Sequence, residues 1–300
     1  MKNVLLTIAY DGTDFCGWQK QPGQRSVQEE VERALSIVCA QPIRINGTSR
    51  TDAGVHAYGQ RASFTADFSI PVEKIPLVAN GIFASAASER WRKASGDVAI
   101  LAAEEVDPGF HARFDAAGKK YIYQIDNSGK PDPFGRNYRY QVGRPLDLDA
   151  MKRAAAHLIG TQDFKCFQAA GGKELETTVR TVYSARISVP GCETGQIPPE
   201  GAMPGPASAG SEKAIVFEII GDGFLYNMVR IITGTLVDVG LGKKGPDDLP
   251  EIIAGRDRKR AGHTAPPQGL YLAEIYYDSE SLHKAAEGYG NSAGGCGSDG

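Results

Sequence analysis

Ser49-Arg50-Thr51-Asp52-Ala53-Gly54-Val55-His56-Ala57-Tyr58 is the stretch from which the fold can be read outward. Two opposite charges, Arg50 and Asp52, sit in a turn-prone run with Gly47 before it and Gly54 after. Residues 42–47 ahead of it alternate as a strand does, and residues 60–66 behind it alternate again. A carboxylate on a turn between strands is held by rigid neighbours yet left open to a ligand. Asp and Gly are also ordinary turn residues, so on local spacing alone a turn-stabilising role is the simpler reading.

Working outward, residues 4–10 read as a strand. Ser26-Val27-Gln28-Glu29 reads as a capping box opening a helix whose stripe is Val27, Val31, Leu35 and Val38. A helix over 71–84 and a strand over 98–106 complete a β-α-β-β-α-β order. The order returns with a strand at 119–126, a helix at 147–159, strands at 178–189 and 214–220, and a helix at 224–239. In that helix Phe224, Met228, Ile231, Thr235 and Val239 share one side. A further helix follows Pro246 and a strand at 270–277 closes the pattern. The expected fold is therefore α+β: two ferredoxin-like (β-α-β-β-α-β) halves with antiparallel sheets side by side and a central cleft, a common setting for a large ligand. The expected boundaries are 1–110 for the half carrying the Asp52 turn, 111–280 for the second half, and 281–300 for a disordered tail. Residues 190–211, rich in Pro, Gly, Ala and Ser, read as a flexible surface loop; contact with substrate is the sharper alternative.

The composition of the 300 residues is that of an ordinary globular chain, 41% hydrophobic and 23% charged. No apolar run is long enough for a membrane span, and the start of the chain lacks a signal-peptide core, so a cytoplasmic, non-membrane protein is expected. Cys16, Cys39, Cys166, Cys192 and Cys296 are odd in number and widely spaced, which argues against a disulfide framework and against zinc. The net charge of −3 gives no overall basic excess. Locally, Arg113, Lys119, Lys120, Lys130, Arg136, Arg139 and Arg144 outnumber Asp115, Asp126 and Asp132, and Arg256, Arg258, Lys259 and Arg260 cluster around Asp257. Such runs make a basic face or simply a solvated surface.

Several motifs fall in register along the chain. They are Asp11-Gly12-Thr13, then Phe15-Cys16-Gly17-Trp18-Gln19-Lys20-Gln21, the Asp52 segment, and Phe110-His111-Ala112-Arg113-Phe114 with Lys119-Lys120-Tyr121-Ile122-Tyr123. Asn227-Met228-Val229-Arg230 and Gly269-Leu270-Tyr271-Leu272 follow. In this order and spacing the chain resembles the TruA-type tRNA pseudouridine synthases from about Val4 to Tyr277. The resemblance implies isomerisation of uridine to pseudouridine at positions 38, 39 and 40 of the tRNA anticodon stem-loop, by a homodimer using neither metal nor organic cofactor. The chain departs from the family pattern at Cys16, where His is usual, at Ser49, where Gly is common, and at Gln162, where His is frequent.

That reaction breaks the N1–C1′ bond, turns the uracil and rejoins it through C5, with no net oxidation. It needs an everted base, a carboxylate, a cation to hold the carboxylate and an aromatic plate. Asp52 fits the carboxylate, as nucleophile or as base. Arg230, which the resemblance places against Asp52, fits the cation; a neighbouring Arg ordinarily lowers an Asp pKa and keeps it ionised. Tyr121 fits the plate, its hydroxyl available for proton transfer, although Tyr121 and Tyr123 on one strand also read as core. Leu270 fits the opposite side of the base, or simply core. Arg50 fits the space left by the flipped nucleotide, or a phosphate. His111, Arg113, Lys119, Lys120, Arg258, Lys259 and Arg260 are candidate phosphate contacts. His56 is explained equally well as a packed, hydrogen-bonded histidine. The rival readings are a non-enzymatic RNA-binding protein of ferredoxin-like fold and a metal hydrolase using Asp52 and His56.

Overall fold

The computed structural model describes residues 1–85, 96–172, 176–190 and 214–287. The residues 190–211 expected as a loop lie, beyond residue 190, outside the described residues, as does the chain after 287. The first strands and helices are β1 (Lys2–Tyr10), α1 (Val27–Val38), β2 (Asn46–Gly47), β3 (His56–Ala66), α2 (Ile75–Ser85) and β4 (Val98–Val106). Then follow β5 (Gly118–Asp126), β6 (Tyr140–Gln141), α3 (Leu148–Ala156), β7 (Gly160–Asp163), β8 (Val179–Ser188) and β9 (Ala214–Gly221). The chain continues with α4 (Met228–Gly240), α5 (Leu249–Gly255), β10 (Leu270–Tyr276) and α6 (Ser279–Glu287). Among the described residues all ten strands join one mostly antiparallel sheet, in the order β4-β1-β3-β10-β5-β9-β8-β7, with β2 on β3 and β6 on β5. The class is α+β. The β4-β1-β3 and β10-β5-β9-β8-β7 parts of the sheet meet at the short parallel pairing of β10 with β3, Tyr271 opposite His56 and Leu272 opposite Ala57.

Strand alternation sends one face of this sheet to the helices. Val4, Leu6 and Ile8 of β1, Tyr121, Tyr123 and Ile125 of β5, and Ile215, Phe217 and Ile219 of β9 share one core with α1 to α5. Ile220 and Tyr276 point the other way and bury Leu282 of α6. Residues 281–287, expected in a structureless tail, are therefore helical: Leu282 finds an apolar seat on the back of β9 and β10 that the Gly-rich sequence after it gives no hint of.

Local signals place the elements, but several details differ, among them that β3 starts at His56 and not at Gln60. Ser26 caps α1 by accepting from Glu29 N at 3.3 Å, but the Glu29 carboxylate turns to Lys20 at 3.6 Å. The strand expected at 42–47 is regular only at Asn46–Gly47. The helix expected to have one apolar side starts at Met228 and is buried on every side; among its residues only Arg230 is not buried.

Candidate active site

Asp52 sits on a loop clamped from several directions. The Gln60 side chain grips the loop's first residue, Nε2 donating to Ser49 O at 2.7 Å and Oε1 accepting from Ser49 N at 3.2 Å. Gln60 can do this because β3 carries an irregularity opposite Ile8 and Tyr10 of β1, so that Gln60 and Ala57 both face the helical side while His56 and Tyr58 face the other. Tyr10 bonds Thr51 Oγ1 at 2.7 Å, and Trp18 N donates to Thr51 O at 3.0 Å. Gly17, at φ +108°, passes so close that a side chain there would meet Thr51 O at 2.6 Å; at Gly12 it would meet Val55 O at 2.0 Å. The motifs at 11–13 and 15–21 thus serve the Asp52 loop by giving its backbone a close-fitting bed.

Arg230 arrives from the opposite end of the sequence, in the first turn of α4. Asn227, left-handed at φ 60°, starts the helix and accepts from Arg230 Nη1 at 2.7 Å. Ala265 O accepts from Arg230 Nε at 2.8 Å. With two neutral acceptors fixing it, the guanidinium lies 3.4 Å from Asp52 Oδ2. The side chains are 15% and 29% exposed, so the pair is sheltered but Asp52 can still be reached. Burial raises the Asp52 pKa above the ordinary carboxylate value, and Arg230 pulls it back only in part. This overturns the expected lowering: one guanidinium at 3.4 Å does not offset the water lost around the carboxyl.

Tyr121 shares the same enclosure. Its hydroxyl is 2.8 Å from Ser49 Oγ, a contact that a glycine at position 49 would not make. The ring stands edge-on to Phe224 with centroids 5.2 Å apart. Burial pushes the phenol pKa up to about 12, Ser49 opposes this, and the Asp52 charge adds to it. Lys119, two residues earlier on the same face of β5, donates to Thr48 O at 3.3 Å and reaches Ser49 Oγ at 3.5 Å. Burial, then the charges of Arg113 and Arg180, press its pKa down to about 8.

A family profile described as tRNA pseudouridine synthase matches residues 6–115 and 154–278, which hold both Asp52 and Arg230. The chain belongs to the tRNA pseudouridine synthase family. It is 42% identical over 277 residues to tRNA pseudouridine synthase A of Acetivibrio thermocellus, covering 92% of this chain and all of that one. Identity is again 42% over 277 residues to the enzyme of that name from Ruminiclostridium cellulolyticum, with the same coverage. It is 41% over 271 residues to that from Halalkalibacterium halodurans, covering 90% of each chain. The activity of the family is isomerisation, so the non-enzymatic alternative falls away, and its substrate is tRNA.

For a tRNA pseudouridine synthase the remaining candidates sort by place. Leu270 lies opposite Tyr123 on β10, buried on the helical face. Arg50 and Arg113 are exposed, with no ion pair among the described residues. His111 is half-buried, its Nδ1 accepting from Arg113 N at 3.1 Å. Lys120 is not brought to the site: strand alternation turns it to the other face, where it meets Glu218 at 2.8 Å. Arg258 is tied back to Gly262 O and Thr264 Oγ1, Arg260 to Glu251 at 3.4 Å and Arg256 to Asp163 at 3.1 Å, while Lys259 is exposed with no ion pair among the described residues. His56 is a structural residue on the opposite face. It is stacked on Tyr271 at 4.7 Å and bridges Gly12 N at 3.1 Å and Asn137 O at 3.0 Å. A hydrolase built on Asp52 and His56 has no basis in this placement, and among the described residues no group of three or more His, Cys, Asp or Glu side chains is placed to hold a metal. No described helix is long and apolar enough to cross a membrane.

Sequence reasoning missed Gln60, Ser49 and Phe224 as parts of the site. Gln60 reads as an ordinary strand residue, and only the β3 irregularity turns it inward. Ser49 was visible as a departure from the family pattern, and its contact with Tyr121 is the physical content of that departure.

Proposed function

We propose that the chain isomerises uridines 38, 39 and 40 in the anticodon stem-loop of tRNA, with Asp52 as the reacting carboxylate. The observation that carries this reading is the Arg230–Asp52 contact at 3.4 Å within the Tyr121 enclosure. The everted uridine enters beside Asp52, which attacks covalently or removes a sugar proton once the N1–C1′ bond weakens. Arg230 opposes the protonation that burial favours, and its charge stays in place because Asn227 and Ala265 hold it. Tyr121 offers its ring to the freed uracil after Phe224 yields, and Leu270 closes the far side. When C5 becomes the point of attachment, the hydrogen on C5 leaves and no net oxidation occurs.

Arg50 takes the gap left in the RNA stack, and His111, Arg113, Lys119 and Lys259 meet phosphates. The enzyme acts in the cytoplasm as a homodimer, without metal or organic cofactor. Two ferredoxin-like halves, 1–110 and 111–280, account for the architecture: the order β4-β1-β3 with β2 beyond it recurs as β10-β5-β9 with β8 beyond it.

The test is release of tritium from tRNA labelled at uridine C5, with EDTA present and nothing added, together with mapping of the product along the RNA. Release confined to the anticodon stem-loop is expected. Release from another part of the tRNA would overturn the assigned positions, and dependence on metal would overturn the mechanism.

A further inference from the structure

Beside the Asp52–Tyr121 enclosure, three cations from three separate segments come together, none of them in an ion pair with a carboxylate among the described residues. Lys119 leaves β5 toward Thr48 O and Ser49 Oγ, at 3.3 and 3.5 Å. Arg113 follows Ala112, whose carbonyl accepts from Thr48 Oγ1 at 2.9 Å and from the Tyr277 hydroxyl at 3.0 Å, so the same Thr48 fixes the Arg113 segment beside Lys119. Arg180 enters from β8. Lys119 pairs with Gly221 of β9, and Gly221 pairs with Val182 of β8, which brings the start of β8 across from Lys119. The Arg180 guanidinium passes beside Gly223, directly before Phe224, the ring that covers Tyr121.

Among the described residues the hydrogen-bond partners of Lys119 and Arg180 are neutral. Arg180 Nη1 donates to Thr177 O at 3.1 Å and Val179 O at 2.6 Å, and Arg113 keeps its side chain exposed. The nearby carboxylates are engaged elsewhere, Asp115 with His111 N at 2.7 Å and Asp222 with Thr181 N at 3.1 Å. Three like charges held together with no ion-pair partner among the described residues cost folding stability, and the Lys119 pKa is depressed, with burial the first cause and the two arginines next. An arrangement of this kind is relieved by an incoming polyanion. A half-buried Lys flanked by two Arg forks is the donor set suited to a phosphate, where the Lys supplies a point charge and each Arg a planar pair of donors.

We infer that Lys119, Arg113 and Arg180 form one subsite for the backbone phosphate flanking the target uridine, with Arg180, on the second half's own β8, as its outer wall. The inference rests on the reading of Asp52 as the reacting carboxylate, since the subsite adjoins that loop through Thr48 and Ser49. A phosphate gripped here fixes the nucleotide backbone while the base swings toward Tyr121. The subsite therefore positions the substrate and takes no part in bond making.

The experiment is a double-mutant cycle between protein and RNA. An anticodon stem-loop transcript is prepared with a neutral methylphosphonate at one phosphate at a time on either side of the target uridine. Binding is measured for the wild-type chain, Arg180→Gln and Arg180→Lys. Wild type is expected to lose about tenfold in affinity at one flanking phosphate and little at the others. Arg180→Gln should lose a similar amount with unmodified RNA, show a salt dependence shallower by about one charge, and lose little more when that same phosphate is neutralised. Arg180→Lys should recover most of the salt slope. Additive losses at every phosphate, or an unchanged slope in Arg180→Gln, would overturn the subsite. Those results would leave C5 tritium release by wild type intact, whereas absence of that release would instead sink the reading of Asp52.

Discussion

Arg25 and Arg230 each meet an aspartate, and the two arrangements differ in every respect that matters to chemistry. Arg25 lies 2.7 Å from Asp97 and 3.3 Å from Glu30, and its guanidinium sits over the Phe15 ring at 4.1 Å. It is satisfied by anions. Arg230 is instead fixed by two neutral acceptors, Asn227 Oδ1 at 2.7 Å and Ala265 O at 2.8 Å, and holds Asp52 only at 3.4 Å. In both pairs burial raises the carboxyl pKa and the arginine opposes it. The difference lies in what is left over. Asp97 has its cation at close range and braces the joint between β1 and β4. Among the described residues Asp52 has no side-chain partner but Arg230, on a loop held by Gln60, Tyr10 and Trp18. In the proposed reading, a cation anchored by neutral groups supplies the field without consuming the carboxylate it serves.

The largest effect that bears on this contrast is expected from Asp52→Asn. Tritium release should fall by more than about a thousandfold while tRNA affinity stays within a few-fold. The fold should not suffer. A raised folded-state pKa means that Asp52 is at its most favourable to folding below the unfolded carboxylate pKa of about 3.9, and loses that as pH rises through its folded value. Thermal melts of Asp52→Asn near neutral pH should therefore match or exceed those of wild type, with the difference gone below about pH 3. A lower Tm at neutral pH would mean that the Arg230 contact outweighs burial after all.

Arg230→Gln should cost about a hundredfold in kcat/KM. Because Arg230 holds the Asp52 pKa down, the acid limb of the rate profile should move to higher pH in the variant. A limb that stays in place would separate Asp52 from the titration that governs rate.

Arg25→Gln is the reverse case. It leaves Glu30 and Asp97 without their shared cation, at a cost of about 2–3 kcal/mol on denaturant unfolding, with turnover per folded molecule unchanged. A fall in turnover at full folding would show that Arg25 serves the site and not only the joint.

Tyr121→Phe keeps the ring and removes the bond to Ser49. A loss of about tenfold or less is expected if the ring is what the uracil uses; complete loss in single-turnover assays would assign proton transfer to the hydroxyl. The smallest effect should come from Lys259→Gln, an exposed cation of the 256–260 cluster: binding weakened a few-fold, with the salt slope reduced by about one. An unchanged slope would place the RNA path away from α5.

Much of this molecule was legible without coordinates, because much of it is local. Ser26 and Asp147 cap α1 and α3 where the spacing puts helix starts, since a cap needs only the first turn of its own helix. β1, β4, β5, β8 and β9 fall within a residue or two of the alternating runs that mark them. The same alternation requires Lys119 and Tyr121 to share a face that excludes Lys120. The short β2, the helix at 279–287 and the inward turn of Gln60 were not legible, because each depends on what a distant strand presents.

The sequence by itself determined the family, the strand-to-strand loop that bears Asp52, and the residue types the reaction calls for, since motif order and periodicity are properties of the chain alone. Only the tertiary structure decided that Arg230, 178 residues away, lies against Asp52, and that burial prevails over that cation in setting the carboxyl's pKa. It alone turned His56 to the far face and drew Lys119 to Thr48 beside the Arg113 and Arg180 segments. The reason is that distances between remote residues, and the water each carboxyl or ammonium loses, are set by how the sheet closes and not by anything written next to them in the chain.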